Sequence, residues 1–143
     1  MIKNLSEYFL PEQEFYLHKI VYDRIDGIVS KKEFMLNCAD NINVEVGENS
    51  QVRVMVSRTL SFEPDEMFYL SVSFGANLRF EPQKANEYNW NEINLAEEFR
   101  DNGNFVTDNL MSRIALLIAQ ITSSFGQQPL VLPPNVARPN NEE

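Results

Sequence analysis

The chain is poor in the residues from which most chemical sites are made. It holds one histidine, His18, and one cysteine, Cys38, among 143 residues. A lone histidine excludes histidine-rich metal centres, Cys-His-Cys zinc sites and the two-histidine facial triad. A lone cysteine excludes an internal disulfide and a thiolate cluster; Cys38 reads as a buried thiol in a reducing compartment, so a cytoplasmic location is expected. Gly27, Gly47, Gly75, Gly103 and Gly126 are too scattered to form a phosphate loop or a dinucleotide fingerprint. Basic residues are also short, 12 Lys+Arg against 21 Asp+Glu for a formal net charge of -9. Phosphate-neutralising patches are therefore missing, and nucleic acid is not an expected partner. The longest apolar run, 114–119, is far short of the ~18 to 20 residues of a bilayer span. The first ten residues include Lys3 and Glu7 and lack a signal-peptide apolar region, so membrane insertion is not expected. Carboxylate pairs such as Glu97-Glu98 and Asp23-Asp26 are common in so acidic a chain and read as solvated faces. No catalytic residue, metal or cofactor is expected, and the chain is not read as an enzyme.

What is present is enough for one core. With 43% AVILMFWYC and 23% charged residues, the composition is that of a single globular domain. At this length folding buries roughly 68 to 70% of the surface of the unfolded chain. Residues 1–14 read as a mobile or helical lead-in closed by Pro11. Residues 15–29 are dense in β-branched and aromatic side chains and predict the first strand, although His18 and Lys19 break its alternation and Ile20 and Val21 are adjacent. Gly27 is expected to bend or end it. The second strand is expected over 34–46, with Phe34, Leu36 and Cys38 on one face and Ile42, Val44 and Val46 following the polar Asp40-Asn41. Gly47-Glu48-Asn49-Ser50 joins it as a hairpin to a third strand with Val52, Val54, Val56, Leu60 and Phe62 alternating. After Glu63-Pro64-Asp65-Glu66, the residues Phe68, Leu70, Val72, Phe74, Ala76, Leu78 and Phe80 occupy every second position, the strongest signal in the chain. The pattern predicts an antiparallel meander with one covered face.

From Glu81 the period becomes helical. Asn94 with Glu97 three residues on predicts a capped short helix carrying Leu95 and Phe99 and ending near Gly103. A longer helix is expected from Thr107 or Asp108 to Gly126, with Leu110, Ile114, Leu117, Ile118, Ile121 and Phe125 as a stripe that Met111 and Leu116 widen. A helix apolar over more than half its girth should touch two surfaces, the sheet and another subunit. The segment 129–134 is expected to dock in extended form, and 137–143 to be disordered.

Several of these segments resemble the SecB family of protein-export chaperones. Glu14-Phe-Tyr-Leu-His-Lys-Ile-Val is similar to the family's opening strand. Asp108-Asn109-Leu110-Met111, Ile121-Thr122-Ser123-Ser124-Phe125-Gly126 and Pro129-Leu130-Val131-Leu132-Pro133-Pro134 are similar to its long helix, glycine break and leucine-proline tail. The resemblance implies an α+β fold: a four-stranded antiparallel β-meander sheet packed against a long C-terminal helix, over residues 15–136. It implies a homodimer or a dimer of dimers, a homotetramer, acting without ATP. It further implies that unfolded or precursor polypeptides are held in an apolar groove, for which Met55, Met67, Tyr69, Met111 and Leu116 are the candidates. The translocase motor ATPase would be a partner, with Asp23 and Asp26 as the acidic docking residues. Yet the family's acidic aspartate-isoleucine-serine-phenylalanine-glutamate pattern reads Arg24-Ile25-Asp26-Gly27-Ile28 here, and the phenylalanine-proline-tyrosine helix start reads Met111-Ser112-Arg113. Those departures argue against the motor and for a divergent member. The expected function is a holdase for preprotein export or related clients; the alternative is an adaptor of the same fold with one dedicated partner, such as an antitoxin.

Overall fold

The unbroken alternation from Phe68 onward forms the strand around which the sheet is built. In the computed structural model, which describes residues 2–25, 35–63, 67–125 and 129–136, four strands run Glu14–Ile25 (β1), Met35–Val46 (β2), Gln51–Glu63 (β3) and Met67–Arg79 (β4). All neighbours are antiparallel and the order is β1-β4-β3-β2. Strands β2, β3 and β4 form the expected meander, joined at β2 and β3 by the expected hairpin. In that turn Asn49 and Ser50 take positive φ, 64° and 61°, the conformation that matches the twist of the paired strands. Strand β1 lies beside β4 instead of β2, giving a Greek-key order; a period of two carries no information about neighbours. Gly27 and Asp26 fall outside the described residues, as do Gly126 and 137–143.

The broken alternation of β1 has a physical cause. The register with β4 shifts between Leu17 and Lys19, so His18 is the extra residue of a β-bulge. The bulge inverts the phase: Phe15 and Leu17 before it and Ile20 and Tyr22 after it all face the side of Ala76, Phe74, Val72 and Leu70. This inner face carries Val52, Val54, Val56, Leu60, Leu70, Val72 and Leu78, all fully buried.

Two helices cover it. Helix α1, Leu95–Asn102, starts as its sequence predicts: the Asn94 side chain accepts the Glu97 N–H at 3.3 Å. Helix α2, Asn104–Ser123, begins earlier than expected. Thr107 is inside its first turn, and its hydroxyl donates back to the Gly103 carbonyl at 3.2 Å instead of capping. Only Gly103 separates the helices, because a Cβ there would collide with the Phe99 carbonyl. α2 packs across β4 and β3 through Val106, Leu110, Met111, Ile114 and Ile118.

The lead-in departs most from expectation. Ile2, Leu5, Tyr8 and Phe9 are buried, and a 3-10 turn spans Leu5–Tyr8. The Ile2 N–H donates to Glu98 at 2.7 Å, Leu10 N–H to the Arg79 carbonyl, and Glu81 N–H to that of Tyr8. Phe9 stacks on Phe80 with centroids 5.0 Å apart, and Trp90 packs on Phe80 at 4.8 Å. The segment belongs to the core instead of preceding it.

Candidate functional site

The outer face of the sheet has a different composition from the inner. Its cross-strand rows read Lys19, Ser73, Ser57, Asn41 and then Val21, Ser71, Thr59, Ala39. Small hydroxylated side chains make a shallow floor, with Thr59 Oγ1 and Ser71 Oγ 3.1 Å apart. At one end the row Tyr16, Gly75, Met55 closes it. The Tyr16 ring lies flat across Gly75, where an added Cβ would stand 2.5 Å from the ring. At the other end stands Tyr69, opposite Asp23. Six residues of β4 separate Gly75 from Tyr69, roughly 20 Å at ~3.4 Å per residue. The outer face is thus a polar floor between the Tyr16–Met55 cluster and Tyr69. Met67 holds the left-handed conformation, φ 70°, unusual for an unbranched bulky residue at the start of a strand.

The five groove candidates are therefore divided. Met55 and Tyr69 share the outer face, whereas Met67 is half-buried and packs against the core, its left-handed backbone breaking the parity of the strand. Met111 is fully buried, and its placement in a groove is corrected: at helical spacing from Thr107, Ile114 and Ile118 it completes the stripe that α2 turns to the sheet. Leu116 lies on the opposite side of the helix and of the sheet. Asp23 is exposed on the outer face, whereas Asp26 is not described.

Leu116 belongs to a second apolar surface. α2 runs alongside β1, with the Arg113 guanidinium 4.9 Å above the Phe15 ring at one end and Phe125 5.2 Å from Tyr22 at the other. Between them, among the described residues, side chains on the inner face of β1 stand exposed, Leu17 at 49%, Ile20 at 41% and Tyr22 at 42%, and so do Leu116 on α2 at 61% and Phe125 after it at 37%.

The third feature is polar and buried. On the inner face Arg58 of β3 pairs with Asp40 of β2, Nε to Oδ1 at 2.7 Å and Nη2 to Oδ2 at 2.8 Å, with side chains 2% and 0% exposed. The carboxylate beside it holds the guanidinium above its already high ordinary value. Both residues were visible as breaks in alternation, Asp40 between Cys38 and Ile42 and Arg58 between Val56 and Leu60. Opposite charges at interior positions of paired strands were the signal that strand-by-strand reading missed. Gly75 carried a second missed signal, an isolated strand glycine marking a close approach. Cys38 is half-buried and its thiol is pushed up by burial. Among the described residues no three His, Cys, Asp or Glu side chains are grouped as a metal site would need. A cleft beside the hairpin, of about 240 Å³ and mixed polar and apolar lining, is bounded by Glu12, Gln13, Glu14, Gln51, Asn77, Leu78 and Arg79. No helix among the described residues is long and apolar enough to cross a membrane.

No protein-family model matches the chain, and no curated protein matches it in sequence. In structure it is similar to Rv1957, a SecB-like chaperone of Mycobacterium tuberculosis solved in complex with a ChAD peptide from the Rv1956 HigA1 antitoxin. The TM-score is 0.66 at 16% identity, covering 90% of this chain and 91% of the other. At that identity the likeness is one of fold: the chain has the α+β SecB-like fold.

Proposed function

We propose that the protein is a holdase chaperone of the cytoplasm that binds unfolded polypeptide segments, without ATP, along the outer face of its sheet. The observation that carries the reading is the floor of Ser57, Ser73, Thr59 and Ser71 between the Tyr16–Met55 cluster and Tyr69. Small hydroxyls let an extended backbone come close and find hydrogen-bond partners. Methionine and tyrosine at one end and tyrosine at the other take apolar side chains of many shapes. The SecB-like fold and the peptide bound to Rv1957 support the same direction.

Magnitudes favour an assembly. Burying one client side chain at each end yields ~1.5–3 kcal/mol apiece, and both together fall short of the ~8 kcal/mol of micromolar binding. A client spanning the outer faces of several protomers gains effective concentration with each further face. We place a second copy of the chain on the strip of Leu17, Ile20, Tyr22, Leu116 and Phe125, in a homodimer or dimer of dimers. The formal net charge of -9 keeps such an apolar assembly soluble.

Calorimetric titration with a denatured, slowly refolding client, with mass by light scattering on the same sample, tests this. Submicromolar binding indifferent to ATP and lost in Met55→Asp/Tyr69→Asp is expected. A well-formed multimer that ignores generic unfolded chains would overturn it. The second reading would then stand, an adaptor with one dedicated partner, which the antitoxin peptide held by Rv1957 favours.

A further inference from the structure

Where the lead-in enters β1, the ladder with β4 is interrupted. Phe9 bridges Phe80 and Glu14 pairs with Asn77, so five steps along one chain are matched by three along the other. An unbroken register from Glu14 would set Glu12 opposite Arg79, where a carboxylate and a guanidinium form a cross-strand pair. Instead the Leu10 N–H takes the Arg79 carbonyl at 2.9 Å, and the two extra residues are absorbed by an excursion over 11–13. The cleft of about 240 Å³ beside the hairpin opens in this gap. Gln13 fixes one wall, its Nε2 donating to the Phe105 carbonyl at 3.2 Å.

Opposite charges line the cleft without neutralising each other. Among the described residues neither the Arg79 guanidinium nor the Glu12 carboxylate has an ion-pair partner. Glu14 accepts only a long bond, 3.4 Å, from Asn77 Nδ2. Gln51 of β3 stands opposite Arg79 and adds a carboxamide. A cation alone would gain the two carboxylates but meet Arg79, and an anion alone would gain Arg79 but meet Glu12 and Glu14. A molecule with an ammonium and a carboxylate on one carbon satisfies both signs at once. The space is also below the ~300 Å³ at which sites for drug-sized ligands begin.

We infer that this cleft binds a free α-amino acid, its carboxylate on Arg79 and Gln51 and its ammonium between Glu12 and Glu14. Both ends are then held by charge-assisted hydrogen bonds. Gln51 and Asn77 also border an adjoining space of about 180 Å³ beside Arg53 and Glu45, which takes the side chain. The charged groups are exposed, and exposed ion pairs contribute little each, so a Kd on the order of millimolar is expected. The site adjoins the Tyr16 end of the outer-face floor but does not rest on the holdase reading.

The test follows the Gln51 and Asn77 side-chain amides of the 15N-labelled full chain by NMR. Each common amino acid is titrated to about 20 mM, well above a millimolar Kd. At least one is expected to shift both amides and to saturate. Its N-acetyl derivative and its amide each lack one charge, and stand for the C-terminus and N-terminus of a polypeptide; both should bind at least ~10-fold more weakly. The same loss is expected in Arg79→Gln and in Glu12→Gln/Glu14→Gln, exposed positions at which the fold is kept. Tyr69→Asp, which tests the outer-face floor, should leave amino-acid binding unchanged. No saturable shift with any amino acid overturns the inference. So does a parent amino acid bound no better than its two derivatives, or bound undiminished by Arg79→Gln.

Discussion

The two edges of the inner face lie outside the footprint of α2 and are finished in opposite ways. At the β2 edge helix α1 packs against the strand and the chain returns in its residues 129–136, which lay Leu130 and Leu132 on the core and satisfy a buried ion pair with two carbonyls. At the β1 edge none of the described residues returns, and Leu17, Ile20 and Tyr22 are exposed, as is Leu116 on α2. Both edges are apolar enough to need a cover. One is covered by its own chain and so carries a charge that only a complete set of partners makes tolerable. The other carries exposed apolar side chains flanked by Arg113 and holds no buried ion pair among the described residues, which suits a surface that is exposed in one state and covered in another. A buried ion pair therefore marks where the fold is closed within one chain, and an uncovered apolar row marks where it is completed from outside.

The largest expected effect breaks the closed edge. Arg58→Ala leaves the Asp40 carboxylate buried without its counter-charge and should destabilise the protein by about 3–5 kcal/mol, read as a fall in the urea midpoint. The double change Arg58→Met/Asp40→Leu removes both charges and should be neutral or stabilising by about 1–4 kcal/mol. A double variant as unstable as the single one would show that the ion pair, beyond its desolvation balance, holds the edge together.

A smaller effect is expected at the open edge. Leu116→Asp places a charge where the side chain already meets water, so protomer stability should move by no more than about 0.5 kcal/mol. Association should weaken tenfold or more, at least about 1.4 kcal/mol, seen as a concentration-dependent loss of mass in light scattering. A native mass at low concentration would remove the β1 strip from the subunit contact.

Strand β1 is also kept in place from the outer side, and this can be sharpened. Gly75→Ala sets a Cβ 2.5 Å from the Tyr16 ring, a side chain that can swing outward. Stability should fall by about 1 kcal/mol in chemical unfolding, and client affinity should fall with it because Tyr16 no longer closes the Met55 end. A full loss of folding would mean that the ring cannot move and that Tyr16 is structural.

How much of this was readable in the sequence depends on whether a feature is local. The seven-fold alternation ending at Phe80, the hairpin at Gly47, the Asn94 cap and the docking of 129–134 are settled by neighbours in sequence, and each is found. Strand order is not local, so β1 beside β4 was invisible to a period of two. The bulge at His18 was visible only as a failure of alternation, and the burial of the lead-in was missed although Ile2, Leu5 and Tyr8 recur every third residue, because the spacing of so short a segment does not say what it docks on. In the candidate site, parity places Met55 and Tyr69 on one face but fails at Met67, whose left-handed backbone turns it to the core, and Met111 and Leu116 required the phase of α2 against the sheet. A methionine on a helical stripe is equally good core and groove until that phase is known.

The smallest expected effect separates the two edges by chemistry instead of stability. Cys38 stands on the closed edge, two residues from Asp40, and burial pushes its thiol up, with the Asp40 charge adding to the rise and Arg58 opposing it. A raised value in the folded state favours the neutral thiol. Its contribution to stability is complete below the unfolded thiol's value and is lost as pH rises through the folded one. At pH 8 iodoacetamide should therefore alkylate Cys38 several-fold more slowly than an unstructured cysteine, since only the thiolate reacts. Leu130→Asp/Leu132→Asp, by lifting the cover from that edge, should recover part of the rate, while Leu116→Asp at the open edge should not change it. An equal response to both substitutions would mean that the edges are coupled, and that the segment 129–136 does not close the β2 side on its own.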